Sequence, residues 1–315
     1  MRRFWIPLRA SIAALIVLSA CLGAPAFGGA TATHGYFTAS DGVRIHYLSA
    51  GYKGSWVVLV HGYTDNAQRM FFDTGIAQAL AVNHRVVALD NRNHGLSDKP
   101  EPYGNGRTED VIELMNNLKI DRAHIHGYSM GGSITARLMS MAPERFITAI
   151  FGGSGIGETD EKLRSAASVL DATMPEPQGA EAEMFKVLRE SSAARTQAAR
   201  APGAKPTPPR APLNVDLKTI RFPVLAINGE YDRPYSKTQR MWRELANFQN
   251  VIIPKKNHVS AIMIGGPMPP EYIDALVKFI NTNDLPTAKD MAKEGIRDGA
   301  KDVPKEHKER SKDAR

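Results

Sequence analysis

The sequence predicts an α/β fold: a mostly parallel central sheet with helices on both faces and a small helical lid inserted between two strands. Three observations carry this. Short β-branched apolar runs alternate with helix-length amphipathic stretches. Such alternation favours right-handed crossovers and a parallel sheet covered on both faces. The alternation breaks once, over 155–213, where no buried strand is readable.

In chain order, residues 35–40 and 43–49 read as short strands joined by Asp41-Gly42, a tight hairpin turn. Residues 56–60 and 85–89 read as buried strands, with a helix-like stretch over 68–81 between them. Met70, Phe71 and Phe72 are its buried face, with an acyl pocket as the alternative reading. Residues 109–118 carry a helical apolar face, 124–126 a brief strand, 133–141 a helix ended by Pro143, and 146–151 a strand. The insertion offers helical pieces at 161–173 and 180–199 and then a proline-rich loop. Alternation resumes with a strand at 222–228, a helix at 237–246, a strand at 250–253 and a helix at 271–281. An insertion of this kind is a natural lid over the carboxyl ends of the strands, where ligands bind in parallel sheets.

The two ends of the chain read differently. Residues 1–30 place arginines first, then an apolar run too short for a bilayer anchor, then small residues: the layout of a secretory signal peptide. Ala24-Pro25-Ala26 fits an ordinary cleavage site. Leu18-Ser19-Ala20-Cys21 fits a lipoprotein box, which would lipidate Cys21. The expected location is the bacterial cell envelope, periplasmic or lipid-anchored, or outside the cell. At the other end, residues 284–315 repeat basic–acidic pairs without an apolar stripe and read as a solvated, disordered tail. The core is then 31–154 and 214–283, with the lid at 155–213.

Composition narrows the function. Of 315 residues, 43% are hydrophobic and 23% charged, which excludes collagen, coiled coil and wholesale disorder. The net charge is +7, but Arg2, Arg3 and Arg9 of the leader supply three of those charges. The remainder is only weakly basic, which argues against nucleic acid as a partner. A single cysteine excludes a disulfide framework and a cysteine-based zinc site. No histidine pair has both metal-ligand spacing and neighbouring carboxylates, so no metal is expected. Gly152-Gly153-Ser154-Gly155-Ile156-Gly157 lacks the lysine of a phosphate loop, so no nucleotide cofactor is expected either. It reads instead as a flexible hinge into the lid.

The sharpest motif is Gly127-Tyr128-Ser129-Met130-Gly131, which follows a buried strand and opens a helix. A tight strand-to-helix turn there exposes the Ser129 hydroxyl and aims the Met130 N–H at a developing oxyanion. A serine hydroxyl needs a base, and the base needs an orienting group. Asp232 and His258 each lie just after a predicted strand, on the same sheet edge as Ser129.

With the order Ser…Asp…His, the chain resembles serine members of the α/β-hydrolase superfamily from about residue 35 to 281. The resemblance implies a Ser129–His258–Asp232 triad and a second oxyanion donor at the Tyr63 N–H, after Val60-His61-Gly62. It makes Asp232 the acid in preference to Glu230, and His61 and His94 bracing loop residues. The loop Asp90-Asn91-Arg92-Asn93-His94-Gly95 resembles the family's Asp-x-Arg-Gly-His-Gly, departing at Asn93, where glycine is usual. Asparagine tolerates left-handed backbone better than most residues. The implied activity is hydrolysis of a small-molecule carboxylic ester through an acyl-enzyme. Thioesterase, lipase, perhydrolase, amidase and carbon–carbon bond hydrolase remain open, as does a catalytically silent binding protein on the same scaffold.

Overall fold

The computed structural model describes residues 31–100, 108–184, 186–187, 190, 215–262 and 268–285. The leader with Cys21, the second half of the lid and the charged tail from 286 onward lie outside the described residues.

Eight strands form one sheet: β1 (Thr33–Thr38), β2 (Arg44–Ala50), β3 (Trp56–Val60), β4 (Arg85–Leu89), β5 (Ala123–Tyr128), β6 (Phe146–Gly152), β7 (Val224–Gly229) and β8 (Phe248–Ile253). Their order is β1-β2-β4-β3-β5-β6-β7-β8. β1 and β2 pair antiparallel, as do β2 and β4, and the other pairings are parallel. The chain therefore leaves β3 toward β4 on one side and returns to β5 on the other. That reversal creates a crevice beyond the carboxyl ends of β3 and β5.

Side-chain alternation along the central strands builds two cores. Val58 and Val60 of β3, Val87 and Leu89 of β4 and Ile125 of β5 point to one face, with α2 (Thr108–Asn117), α3 (Met130–Met141) and α6 (Pro234–Glu244). Val57, Leu59, Val86 and Ala88 point to the other, with α1 (Ile76–Ala81) and α7 (Pro270–Thr282). Because both faces are covered, these strands read as continuous apolar runs rather than alternating ones.

Two local expectations change. The helix expected over 68–81 is broken: a π-helical turn spans Gln68–Phe72, and α1 begins only after Gly75, which takes a left-handed φ of 88°. Met70, Phe71 and Phe72 are buried in the core. The glycine run after β6 is also not a loose hinge. Ile156 is buried, and a Cβ on Gly155 would stand 2.3 Å from the Lys237 carbonyl oxygen of α6. Those glycines let the chain press against α6.

Between β6 and β7, α4 (Glu161–Ala172) is capped by the Asp160 carboxylate, which accepts from the Leu163 N–H. A further helix, α5, begins at residue 180 and is described over 180–184 and 186–187. Both are tied to the sheet edge by carboxylates. Asp171 accepts from the N–H groups of Tyr235 and Ser236 at the start of α6. Glu181 Oε2 accepts from Asn257 Nδ2 at 2.6 Å and Ser260 Oγ at 2.7 Å.

Candidate active site

Ser129 sits between the last residue of β5 and the first of α3, with φ 53° and ψ −109°. A non-glycine residue holds such a backbone only where its surroundings impose it. Here a Cβ on Gly127 would meet the Gly131 carbonyl oxygen at 2.1 Å, and one on Gly131 the Val60 carbonyl oxygen at 2.0 Å. The two flanking glycines thus let strand, turn and helix pack without space for side chains. The Ser129 N–H donates to the Gly152 carbonyl, which ties the turn to β6.

His258 lies in the loop after β8 and Asp232 in the loop after β7. The Tyr231 N–H donates to the Lys256 carbonyl and so joins the two loops. His258 Nδ1 is 2.7 Å from Asp232 Oδ2, and His258 Nε2 is 2.9 Å from Ser129 Oγ. Because a carboxylate only accepts, the ring proton lies on Nδ1 and Nε2 presents a lone pair to the serine hydroxyl. Tyr128, the residue before Ser129, donates its hydroxyl to the His258 carbonyl at 2.7 Å.

Asp232 carries a second contact that the sequence did not reveal. Lys237 Nζ of α6 lies 2.6 Å from Asp232 Oδ1 and also donates to the Gly153 carbonyl. Burial alone would raise the Asp232 carboxyl; the Lys237 charge and then His258 outweigh it and hold the group below the usual carboxylate range. Glu230, two residues earlier, instead accepts from the Lys255 N–H.

The loop after β3 runs beside the serine: a Cβ on Gly62 would sit 3.4 Å from Ser129 Cβ. His61 locks that loop to the one after β4, donating from Nδ1 to the Gly62 carbonyl and accepting at Nε2 from the Asn91 N–H. Burial pushes the His61 imidazole down to about 4. His94 Nε2 contacts the Tyr63 carbonyl at 2.5 Å. Asn93 takes the left-handed conformation, φ 70°. Asp90 accepts from Ala67 N–H, Leu96 N–H and His46, while a Cβ on Gly95 would collide with its carboxylate. The N–H of Met130, first residue of α3, has no intrahelical acceptor, and the helix N-terminus favours negative charge. Among the described residues, a cleft of about 460 Å³ joins Tyr63, Ser129, Met130, Ser133, Ser154 and Lys237.

A family model described as the alpha/beta hydrolase family matches residues 57–275. The chain belongs to the alpha/beta hydrolase family. Among curated proteins it is 26% identical to a putative 2-succinyl-6-hydroxy-2,4-cyclohexadiene-1-carboxylate synthase of Bacillus subtilis, over 70% of this chain and 90% of that protein. It is 31% identical to the esterase YbfF of Escherichia coli, over 33% of this chain and 40% of that one. The match to an acetoin-cleaving acetyltransferase component of Pseudomonas putida, at 35% identity, covers 34% of this chain and 29% of that protein. The chain thus spans about a third of the length of the acetyltransferase component and two fifths of the esterase. Among solved structures, a meta-cleavage product hydrolase of Pseudomonas fluorescens superposes with a TM-score of 0.55 at 23% identity, covering 79% of this chain and 97% of that one.

Proposed function

We propose that the chain is a serine hydrolase that cleaves a small-molecule carboxylic ester through an acyl-enzyme. The observation that carries this reading is the continuous hydrogen-bonded line from Ser129 Oγ through His258 to Asp232. Asp232 holds the Nδ1–H tautomer and stabilises the imidazolium once it forms. His258 Nε2 takes the Ser129 proton as Oγ attacks the acyl carbon. The N–H groups of Met130 and Tyr63 receive the oxyanion; each such donor is typically worth ~3 kcal/mol in the transition state. His258 then returns the proton to the leaving alcohol. A water, deprotonated by the same imidazole, releases the acid and restores Ser129.

The family supports a hydrolase, and the esterase relative supports ester as the bond cleaved. A p-nitrophenyl ester series from acetate to octanoate tests the proposal. We expect turnover with an initial burst approaching one p-nitrophenolate per chain, absent in Ser129→Ala. No turnover across the series, or turnover unchanged in Ser129→Ala, would contradict it.

The leader reading adds an exported, lipid-anchored enzyme. In a bacterial host, labelled palmitate should be incorporated into the wild-type chain and not into Cys21→Ala. Unlabelled wild type, cleaved instead after Ala26, would replace the anchor with a soluble exported form.

A further inference from the structure

At the opposite edge of the sheet, three segments far apart in sequence bring two imidazoles and a carboxylate together. His84 immediately precedes β4, His124 is near the start of β5, and Asp284 follows α7. Their nearest ligand atoms all lie within 4.8 Å of one another. His124 Nε2 is 3.2 Å from Asp284 Oδ1, and His84 Nδ1 is 3.8 Å from Asp284 Oδ2. Ser129 lies five residue steps along β5 from His124, roughly 16 Å, so this cluster is not part of the site above.

Three features suit a cation. First, each imidazole is held by its other nitrogen. His84 Nε2 donates to Asn281 Oδ1 at 2.8 Å, which leaves the Nδ1 lone pair facing the cluster, and His124 Nδ1 lies 2.8 Å from Thr148 Oγ1. Such outer hydrogen bonds are how metal-bound histidines are oriented. Second, donors are short. Ser55 has one hydroxyl proton for His84 Nδ1, 3.0 Å away, and for the Asp284 carboxylate. Third, both histidine side chains are nearly inaccessible, whereas Asp284 keeps 22% of its side-chain surface exposed. The cluster is shielded at its two imidazoles and reaches solvent at its carboxylate.

We propose that His84 Nδ1, His124 Nε2 and the Asp284 carboxylate form a three-ligand zinc site, a solvent molecule beside Ser55 completing the four-coordinate shell. Two imidazoles and a carboxylate are a zinc donor set, and at ordinary zinc bond lengths neighbouring ligand atoms stand ~3.3 Å apart. His124 already has that spacing to Asp284 Oδ1, His84 is 3.8 Å from the other oxygen, Oδ2, and drawing all three ligand atoms from within 4.8 Å onto one ion takes movements of up to about 1.5 Å. The ion would pin the end of α7 to the amino ends of β4 and β5.

The expectation from sequence that no metal binds rested on ligand spacing along the chain. Spacing cannot reveal ligands that only the closed sheet brings together.

The test uses untagged chain, stripped with EDTA and titrated with zinc chloride by calorimetry and thermal melting. We expect one equivalent bound with a raised Tm, lost in His124→Gln and Asp284→Asn. Asn281→Ala, which frees only the His84 ring, should weaken zinc by about 10–100-fold. Absence of uptake by the wild-type chain, or equal uptake by Asp284→Asn, overturns the site. If His124→Gln does not fold, cobalt(II) decides on the wild-type chain. Intense tetrahedral bands that vanish in Asp284→Asn support the site; a weak octahedral spectrum overturns it.

Discussion

The Lys237 ammonium lies 2.6 Å from Asp232 Oδ1, the carboxylate oxygen that His258 does not use. In the proposed mechanism, a positive charge behind Asp232 weakens that carboxylate's pull on the His258 imidazolium. It also lines the cleft beside Ser129. Lys237→Met should therefore move the acid limb of the kcat/KM profile to higher pH. It should also lower kcat/KM at neutral pH by about tenfold, or 1.4 kcal/mol, through a loosened Asp232. A profile that keeps its midpoint would show that the ion pair only supports the fold.

The Glu181 contacts predict a second role for the inserted helices. Glu181 binds Asn257 and Ser260, which flank His258. Glu181→Ala should reduce kcat more than it changes KM, by about tenfold, with little change in Tm. Deleting 160–210 to open the cleft should then lower turnover of small esters rather than raise it. An increase would mean that the insert acts only as a cover.

Much of this was legible in the chain, for physical reasons. Gly127 and Gly131 mark Ser129 because a close turn excludes every Cβ, and that requirement is local. Asp232 and His258 follow strands whose apolar runs are readable, so the sheet edge they share could be inferred. Asn93 signalled its left-handed backbone by its residue type. Lys237, Glu181 and Asp284 carried no such mark. Each is one more charged residue on or beside a helix, and its meaning depends on where that helix docks. The break at Gly75 escaped because apolar residues on both sides of it keep a helical spacing.

The glycines of the turn make a stability prediction. Gly127→Ala and Gly131→Ala each put a methyl within 2.1 Å of a backbone carbonyl oxygen. Backbone cannot yield as a flexible side chain can, so each should cost about 3 kcal/mol or prevent folding. Chemical unfolding of the two variants measures this; wild-type stability in either would contradict the tight-turn account.

Buried histidines set the response to acid. His126 donates from Nδ1 to the Ile150 carbonyl and lies beside the Tyr272 hydroxyl at Nε2; burial pushes it, like His61, down to about 4. The unfolded chain binds these protons from about pH 6.5 downward and the folded chain only near 4. Stability is therefore full above about pH 6.5 and falls as pH drops from there toward 4, by of the order of 3 kcal/mol per group. Urea midpoints between pH 7.5 and 4.5 should show the decline, and His126→Gln should flatten part of it. A pH-independent midpoint would refute the neutral-imidazole reading.

The central claim is that Ser129 is an activated nucleophile. Labelling the folded chain with a fluorophosphonate probe and mapping the modified peptide by mass spectrometry tests it most directly. The account predicts one adduct, on Ser129, abolished in Ser129→Ala and strongly slowed in His258→Ala. A folded chain that stays unlabelled, or that carries its adduct on another serine, would contradict it.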